Sequence, residues 1–430
     1  AVPFQGGIVV AGGEPRPGQR VSRVLWGIPE RTQRAFGWLD YAVVGVYFVI
    51  LAAMGLYFSG RENSTEDYFL GGRRVPWWAA GISIYGTLLS AITFLATPAT
   101  SFKGDWAYSV GNVLMVAVAP IVIYFYLPFF RRLDVMSAYE YLEKRFNLGV
   151  RMFGSTAFTI FQLGRMGIVL LLPALALSAV TGIDLRLSIL AMGVLCTFYT
   201  VMGGIEAVIW TDVVQVVILL GGACLSFVLV SAAVDGGFVG MLETAYADGK
   251  FHMVDWGWDI TQKVFIVVVI GRFLEALIPY TTDQTVIQRY LTTSSEKQAA
   301  RSIWTGALFS LPSFVIFFGI GTALYVFYKE HPGQLDPNLT TDQIFPLFIV
   351  QQMPAGVGGL VVAAVFAAAM SSLDSSMNSV TAVLVTDFYQ RLSRGGNQKT
   401  AMLLARTLTL ALGAFATVVA MSGPAWFLFK

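Results

Sequence analysis

The chain has two cysteines, two histidines and only 13% charged residues in 430 positions. Cys196 and Cys224 both fall inside apolar runs, so neither a disulfide framework nor a zinc site is expected, and packing is the simpler role. His252 and His331 stand in polar stretches, apart from each other. No histidine, reactive cysteine or triad-like set is grouped as an enzyme would need, and no Gly-rich phosphate loop supports nucleotide-driven pumping. The net charge of +2 offers nothing to nucleic acid. What fills the chain instead is apolar: 56% hydrophobic residues and a mean hydropathy of +0.67, beyond the range of soluble domains. The bilayer is therefore the expected solvent.

Apolar runs near 38–59, 75–100, 108–130, 153–180, 185–202, 206–232, 262–281, 302–328, 347–387 and 401–421 predict about ten membrane helices. None alternates with a period of two, which argues against a barrel. Basic residues cluster in alternate loops, at Arg73 and Arg74, at Arg131 and Arg132, at Arg289 and Lys297, and at Arg391 and Lys399. These loops belong on the cytoplasmic side of a bacterial-type plasma (inner) membrane, which puts the N-terminus outside. Arg16, Arg20, Arg23, Arg31 and Arg34 oppose that orientation. Residues 1–35 read as a strand, a Gly-rich turn and a further extended segment, the end of an upstream extracytoplasmic β domain; residues 36–430 form the membrane domain. A chain that starts at Ala1 and stops inside an apolar stretch is expected to be part of something longer.

Polar groups inside apolar helices mark the sites. In 361–380 Ala368, Ser371, Ser372 and Ser375 recur at i, i+3, i+4 and i+7 and share one face, beside Asp374. Hydroxyl and carbonyl oxygens are hard ligands that suit a small alkali cation. The competing reading is close helix packing by small residues, against which the density of serines weighs. In 81–99 Gly86, Thr87, Ser90, Thr93, Thr97 and Pro98 interrupt an apolar span and predict a broken helix whose carbonyls line a cavity. Asp212 and Gln215 share a face within 199–219, where the carboxylate is either a cation ligand or a structural hydrogen-bonding group. Gln162 and Arg165 lie on adjoining positions of another span. Arg165 presents a fork that suits a carboxylate, or else it snorkels or pairs with Asp212 or Asp374.

Four blocks, EDYFLGGRRVPWW (66–78), YTVMGGIEAVIWTDVVQ (199–215), DQTVIQRYL (283–291) and AAAMSSLDSSMNSVTAVLVTDFY (367–389), resemble the sodium/solute symporter family, from about Trp38 onward. The resemblance implies an all-α polytopic membrane bundle with the leucine-transporter type of inverted five-helix repeat, C-terminally incomplete here. It implies a common sodium site of backbone oxygens from Gly86, Leu89 and Ala368 with the hydroxyls of Ser371 and Ser372. A second sodium site would use Asp212, Ser371, Asp374 and Ser375, although members often carry Ser or Thr where this chain has Asp374. Ser90 and Thr93 match positions that hold a solute carboxylate in the sialic-acid branch, and Arg165 matches its carboxylate-binding arginine, with Gln162 beside it. The sugar branch has Asn, Glu and Gln where this chain has Leu88, Ile92 and Thr93, which disfavours glucose or galactose. IVVAGGEPRPGQRVSRVLW further resembles the closing strands of a kelch-type sialic-acid mutarotase. The expectation is a sodium-coupled symporter for a small organic anion, sialic acid first and another monocarboxylate or neutral solute second, with a transporter-like solute sensor as the rival. No organic cofactor is expected.

Overall fold

The computed structural model describes residues 2–4, 7–16, 19–27, 36–61, 64–133, 135–254, 265–336, 339–393 and 397–427. Three strands, β1 (Val2–Phe4), β2 (Gly7–Arg16) and β3 (Gln19–Gly27), form an antiparallel sheet in sequence order, with Val2 opposite Val9 and Ile8 opposite Gly27. Gly12 and Gly13 lie inside β2, at a shift in register, and not in the turn expected there. Arg31 and Arg34 lie outside the described residues.

Helices make up the rest. In chain order they are α1 (Trp38–Phe58), α2 (Thr65–Leu70), α3 (Trp77–Leu88), α4 (Ala91–Lys103) and α5 (Val110–Ile121), which continues through a wider turn at Val122–Tyr126 into α6 (Leu127–Leu133). There follow α7 (Glu140–Arg145), α8 (Leu148–Thr181), α9 (Leu185–Ala232), α10 (Gly237–Ala247), α11 (Phe265–Thr281) and α12 (Gln284–Leu291). The last four are α13 (Glu296–Glu330), α14 (Ile344–Gln352), α15 (Val357–Val383) and α16 (Gln398–Phe427). Among the described residues seven helices are long and apolar enough to cross a membrane, eight if the bent pair α3–α4 is one span.

The expected boundary between 185–202 and 206–232 is present as a break inside α9. Gly204 adopts φ 51 and ψ −148, and a Cβ there would lie 2.7 Å from the Tyr68 carbonyl oxygen, so only glycine fits. The single run expected at 347–387 is instead two helices, because α14 ends at Gln352 and α15 begins after Gly356. Pro354 and the positive φ of Gly356 explain the interruption that hydropathy alone misses.

α15 is the axis of the molecule, buried along nearly its whole length and packed against α9, α8, α1 and α16. Asp40 fixes its first turn. Its Oδ1 accepts from Gly356 N and Gly359 N, both at 2.8 Å, satisfying amide groups that a helix start leaves open. Gly359 permits the approach: a Cβ there would fall 2.6 Å from Asp40 Cα.

The other end of α15 is tied by charge. Arg151 donates from Nη2 to Asp387 Oδ1 at 2.6 Å and from Nη1 to Glu143 Oε2 at 2.8 Å, while Arg391 grips Glu143 Oε1 through Nε at 2.8 Å and Nη2 at 2.5 Å. Asp387 Oδ2 also accepts from Ser137 Oγ and Ser155 Oγ at 2.8 and 2.5 Å. Hydrogen bonds from Arg391, then from Arg151, hold the Glu143 carboxyl down to about 2. A depressed value means the pairing stabilises the fold fully above the ordinary 4.5 and loses that contribution as pH falls toward 2. Glu143→Gln is therefore expected to lower the melting temperature at pH 7, by an amount equivalent to about 1 kcal/mol, with the gap closing between pH 4.5 and 2. Thermal melts of both proteins across that range check this; a gap independent of pH would contradict the assignment.

Candidate functional site

The interrupted span is broken where its small and β-branched residues fall. α3 ends at Leu88, Leu89 (φ −90, ψ 99) and Ser90 (φ −88, ψ 163) are extended, and α4 leaves at 62° to α3. Ser90 starts the new helix by accepting from Thr93 N at 3.3 Å, with Thr93 Oγ1 3.2 Å away. Carbonyls of the last turn of α3 are thereby released from helical pairing at membrane depth.

They meet α15. Ser371 Oγ donates to Gly86 O at 3.2 Å and to Ala368 O at 3.3 Å, and Ser372 Oγ donates to Ala368 O at 3.3 Å. Four of the five groups expected for the common cation site, Gly86, Ala368, Ser371 and Ser372, thus share one cluster, and Leu89 supplies the extended backbone at the break. All are buried. Such a set offers neutral oxygens only, which suits a monovalent hard cation.

Beside it lies a charged network whose centre the sequence did not reveal. Arg289, placed by sequence in a cytoplasmic basic loop, is fully buried in α12. It donates from Nε to Ser83 Oγ (2.6 Å), from Nη1 to Thr285 O (2.6 Å) and from Nη2 to Asp212 Oδ2 (3.1 Å) and Ser375 Oγ (2.5 Å). Ser83 Oγ reaches the same Asp212 oxygen at 2.5 Å. Asp212 Oδ1 is buried with no hydrogen-bond partner among the described residues. Asp374 accepts from Tyr199 OH at 2.6 Å and from Ser375 Oγ at 3.2 Å, Ser375 also bonds the Ser371 carbonyl, and Gln215 Nε2 donates to Tyr199 OH at 3.3 Å. Thr87 Oγ1 lies 3.2 Å from Ser375 Oγ, which joins the two clusters. Asp212, Ser371, Asp374 and Ser375 are therefore brought together. Two buried carboxyl groups face one guanidinium here.

Arg165 is not the partner of Asp212 or Asp374. It stands half-buried on α8 with no hydrogen bond or ion pair among the described residues, and Asp283 and Arg289 are the charges near enough to act on it. Gln162, fully buried, accepts from Ser376 Oγ at 2.9 Å, and its Nε2 has no partner among the described residues. Cys196 is buried, Cys224 is exposed on α9, and both are free.

A cavity of about 600 Å³ opens against the other side of the break, between α3–α4, α5, α11 and α13. Leu89, expected at the cation site, and Thr93, expected at the solute site, line it together with Tyr108, Asn112, Arg272 and Ser310. Ser90, Gln162 and Arg165 do not line it. Tyr108, Asn112 and Arg272 carry no helical pattern that would have singled them out by sequence.

This geometry has relatives. The chain is 43% identical to the sodium/sialic acid symporter SiaT of Proteus mirabilis, over 90% of this chain and 78% of that protein. It is 33% identical to human sodium-coupled monocarboxylate transporter 1, over 87% of this chain and 62% of that protein. A solved Na⁺-coupled sialic acid symporter in its substrate-bound outward-open state superposes with a TM-score of 0.88 at 41% identity, covering 92% of this chain and 83% of that one. A nucleobase-cation-symport-1 family transporter matches with a TM-score of 0.52 at 16% identity, which speaks for the shared fold, the expected leucine-transporter type. Because the family profile also matches residues 68–428, the broken helix and the serine-rich α15 are those of a membrane transporter, and the chain belongs to the sodium:solute symporter family.

Proposed function

We propose that the protein imports a sialic acid, N-acetylneuraminate, by symport with sodium, with the N-terminus outside the cytoplasm. The observation that carries this reading is the meeting of the broken α3–α4 backbone with the hydroxyls of Ser371 and Ser372, beside a cavity that shares Leu89 and Thr93 with it. A dehydrated Na⁺ would be held by the backbone oxygens of Gly86, Leu89 and Ala368 and the two hydroxyls, bracing α3 against α15. A second Na⁺ would take the free oxygen of Asp212 with Ser371, Asp374 and Ser375 and balance the charge of that network. The identities of 40–43% to sodium/sialic acid symporters support sialic acid over the monocarboxylates carried by relatives near 33%.

The solute carboxylate is assigned to Ser90, Thr93 and Arg165, with Gln162 supplying the unpaired amide beside them. A half-buried guanidinium with no hydrogen bond or ion pair among the described residues is poised for an anion. Each inward positive charge gains about 2.3 kcal/mol per 100 mV of membrane potential, which the symport spends on accumulation. Sodium favours the form in which α3 and α15 are joined, solute binds next to it, and rocking of the two repeats opens the site to the other side.

Uptake of labelled N-acetylneuraminate into proteoliposomes is expected to need inward sodium; equal uptake without sodium would reject coupling. Arg165→Ala should weaken the solute at least tenfold while sparing sodium-induced changes in intrinsic fluorescence, and an unaltered solute affinity would remove Arg165 from the site.

A further inference from the structure

The cavity beside the break contains an ion pair of its own. Arg272 and Glu275, one turn apart on α11, meet at 2.7 Å, and among the residues lining the cavity they are the charged ones. The guanidinium carbon of Arg272 sits 5.5 Å from the ring centroid of Tyr108, and its aliphatic stem crosses Gly111, where a Cβ would come within 3.0 Å of Arg272 Cδ. Gly111 therefore makes the bed for this side chain, and Tyr108 orients its planar head. The pair is not buried: the side chains keep 39% and 65% of their exposure. Because the pair opens into the cavity and is not enclosed by protein, the partner of Arg272 is exchangeable.

Hydroxyl and amide groups complete the walls, Thr97, Thr100, Asn112 and Ser310 among them, and Phe314 and Phe317 give an apolar side. Such a lining suits a polyhydroxylated acid carrying a small apolar substituent.

We propose that Arg272 is a specificity-determining residue that captures the solute carboxylate on entry, taking it in exchange for Glu275 before the acid moves on to Arg165. The inference rests on the import of an organic acid argued above and assigns the first anion contact to a residue on α11. Glu275 acts as a tethered competitor: it keeps Arg272 occupied in the empty cavity and turns away anions that cannot displace it. Thr100 and Tyr108 stand where α4 ends and α5 begins, toward the outer end in the proposed orientation, so a solute from outside passes Arg272 early.

The test measures initial rates of sodium-driven N-acetylneuraminate uptake in proteoliposomes for the unaltered protein, Arg272→Gln, Arg272→Lys and Glu275→Gln. Arg272→Gln is expected to raise KM about tenfold with little change in kcat, and Arg272→Lys to recover part of the loss. Glu275→Gln removes the competitor and is expected to lower KM severalfold while weakening discrimination against other carboxylates. A structural role for the pair would instead make both neutralising variants worse, and equal KM values throughout would remove Arg272 from the entry path. Should Arg272→Gln fail to insert, a Glu275→Gln KM at or above that of the unaltered protein still overturns the proposal. Uptake by the unaltered protein with an unmoved KM in the variants refutes the Arg272 assignment alone; no sodium-dependent uptake by the unaltered protein refutes the import reading and the assignment with it.

Discussion

Arg289→Ala is expected to be the most damaging single substitution in the molecule. It strips Asp212 of a guanidinium 3.1 Å away at a position where both side chains are fully buried, and it leaves Ser83 and Ser375 without their donor as well. Removing one partner of a buried ion pair strands an uncompensated charge, at a cost of about 3–5 kcal/mol, a large share of the net stability of any domain. The variant should express poorly and melt well below the unaltered protein in detergent. Arg289→Lys should rescue little, because an ammonium cannot supply the fork that reaches Ser83, Thr285, Asp212 and Ser375 together. The decisive comparison is the double variant Arg289→Ala with Asp212→Asn. If the damage comes from the stranded charge, the double variant is more stable than Arg289→Ala alone; additive losses would show that the two groups are not coupled.

The second large effect concerns sodium. Ser371→Ala and Ser372→Ala each delete one hydroxyl from the buried set that meets Gly86 and Ala368, where the other oxygens are neutral. Losing one oxygen from a dehydrated cation should weaken sodium by about 1.5–3 kcal/mol, or ten- to a hundredfold in the sodium concentration for half-maximal uptake. Ser372→Thr retains the hydroxyl and should retain most of the affinity. Ser379→Ala provides the control: it lies on the same helix and bonds Gln288 Oε1 at 2.8 Å, outside the cluster, so its sodium dependence should stay put. A sodium curve unmoved by either alanine would place the ion elsewhere.

Some of this was legible because it is local. The break between α3 and α4 follows from Gly86, Thr87 and Ser90 in one turn, since residues that weaken a helix and cap the next one do so wherever the chain goes. The hydroxyl face of α15 follows from a spacing of three and four residues, which needs only helical geometry. Arg289 was misplaced for the same reason in reverse. Basic residues after a span ordinarily mark the cytoplasmic side, and nothing within DQTVIQRYL says that its helix packs against α3, α11 and α15 and buries every side chain from Gln284 to Leu291.

The sequence by itself determined the solvent, the helical class, the position of the broken span and the oxygen-rich face that answers it, because apolar content and periodicity act within one element. Only the tertiary structure decided that Asp212 belongs to Arg289 and not Arg165, that Asp374 leans on Tyr199, and that Arg272 enters the cavity. Those outcomes depend on which faces of distant helices meet. A buried charge takes the nearest suitable partner in space, and distance along the chain carries little information about that.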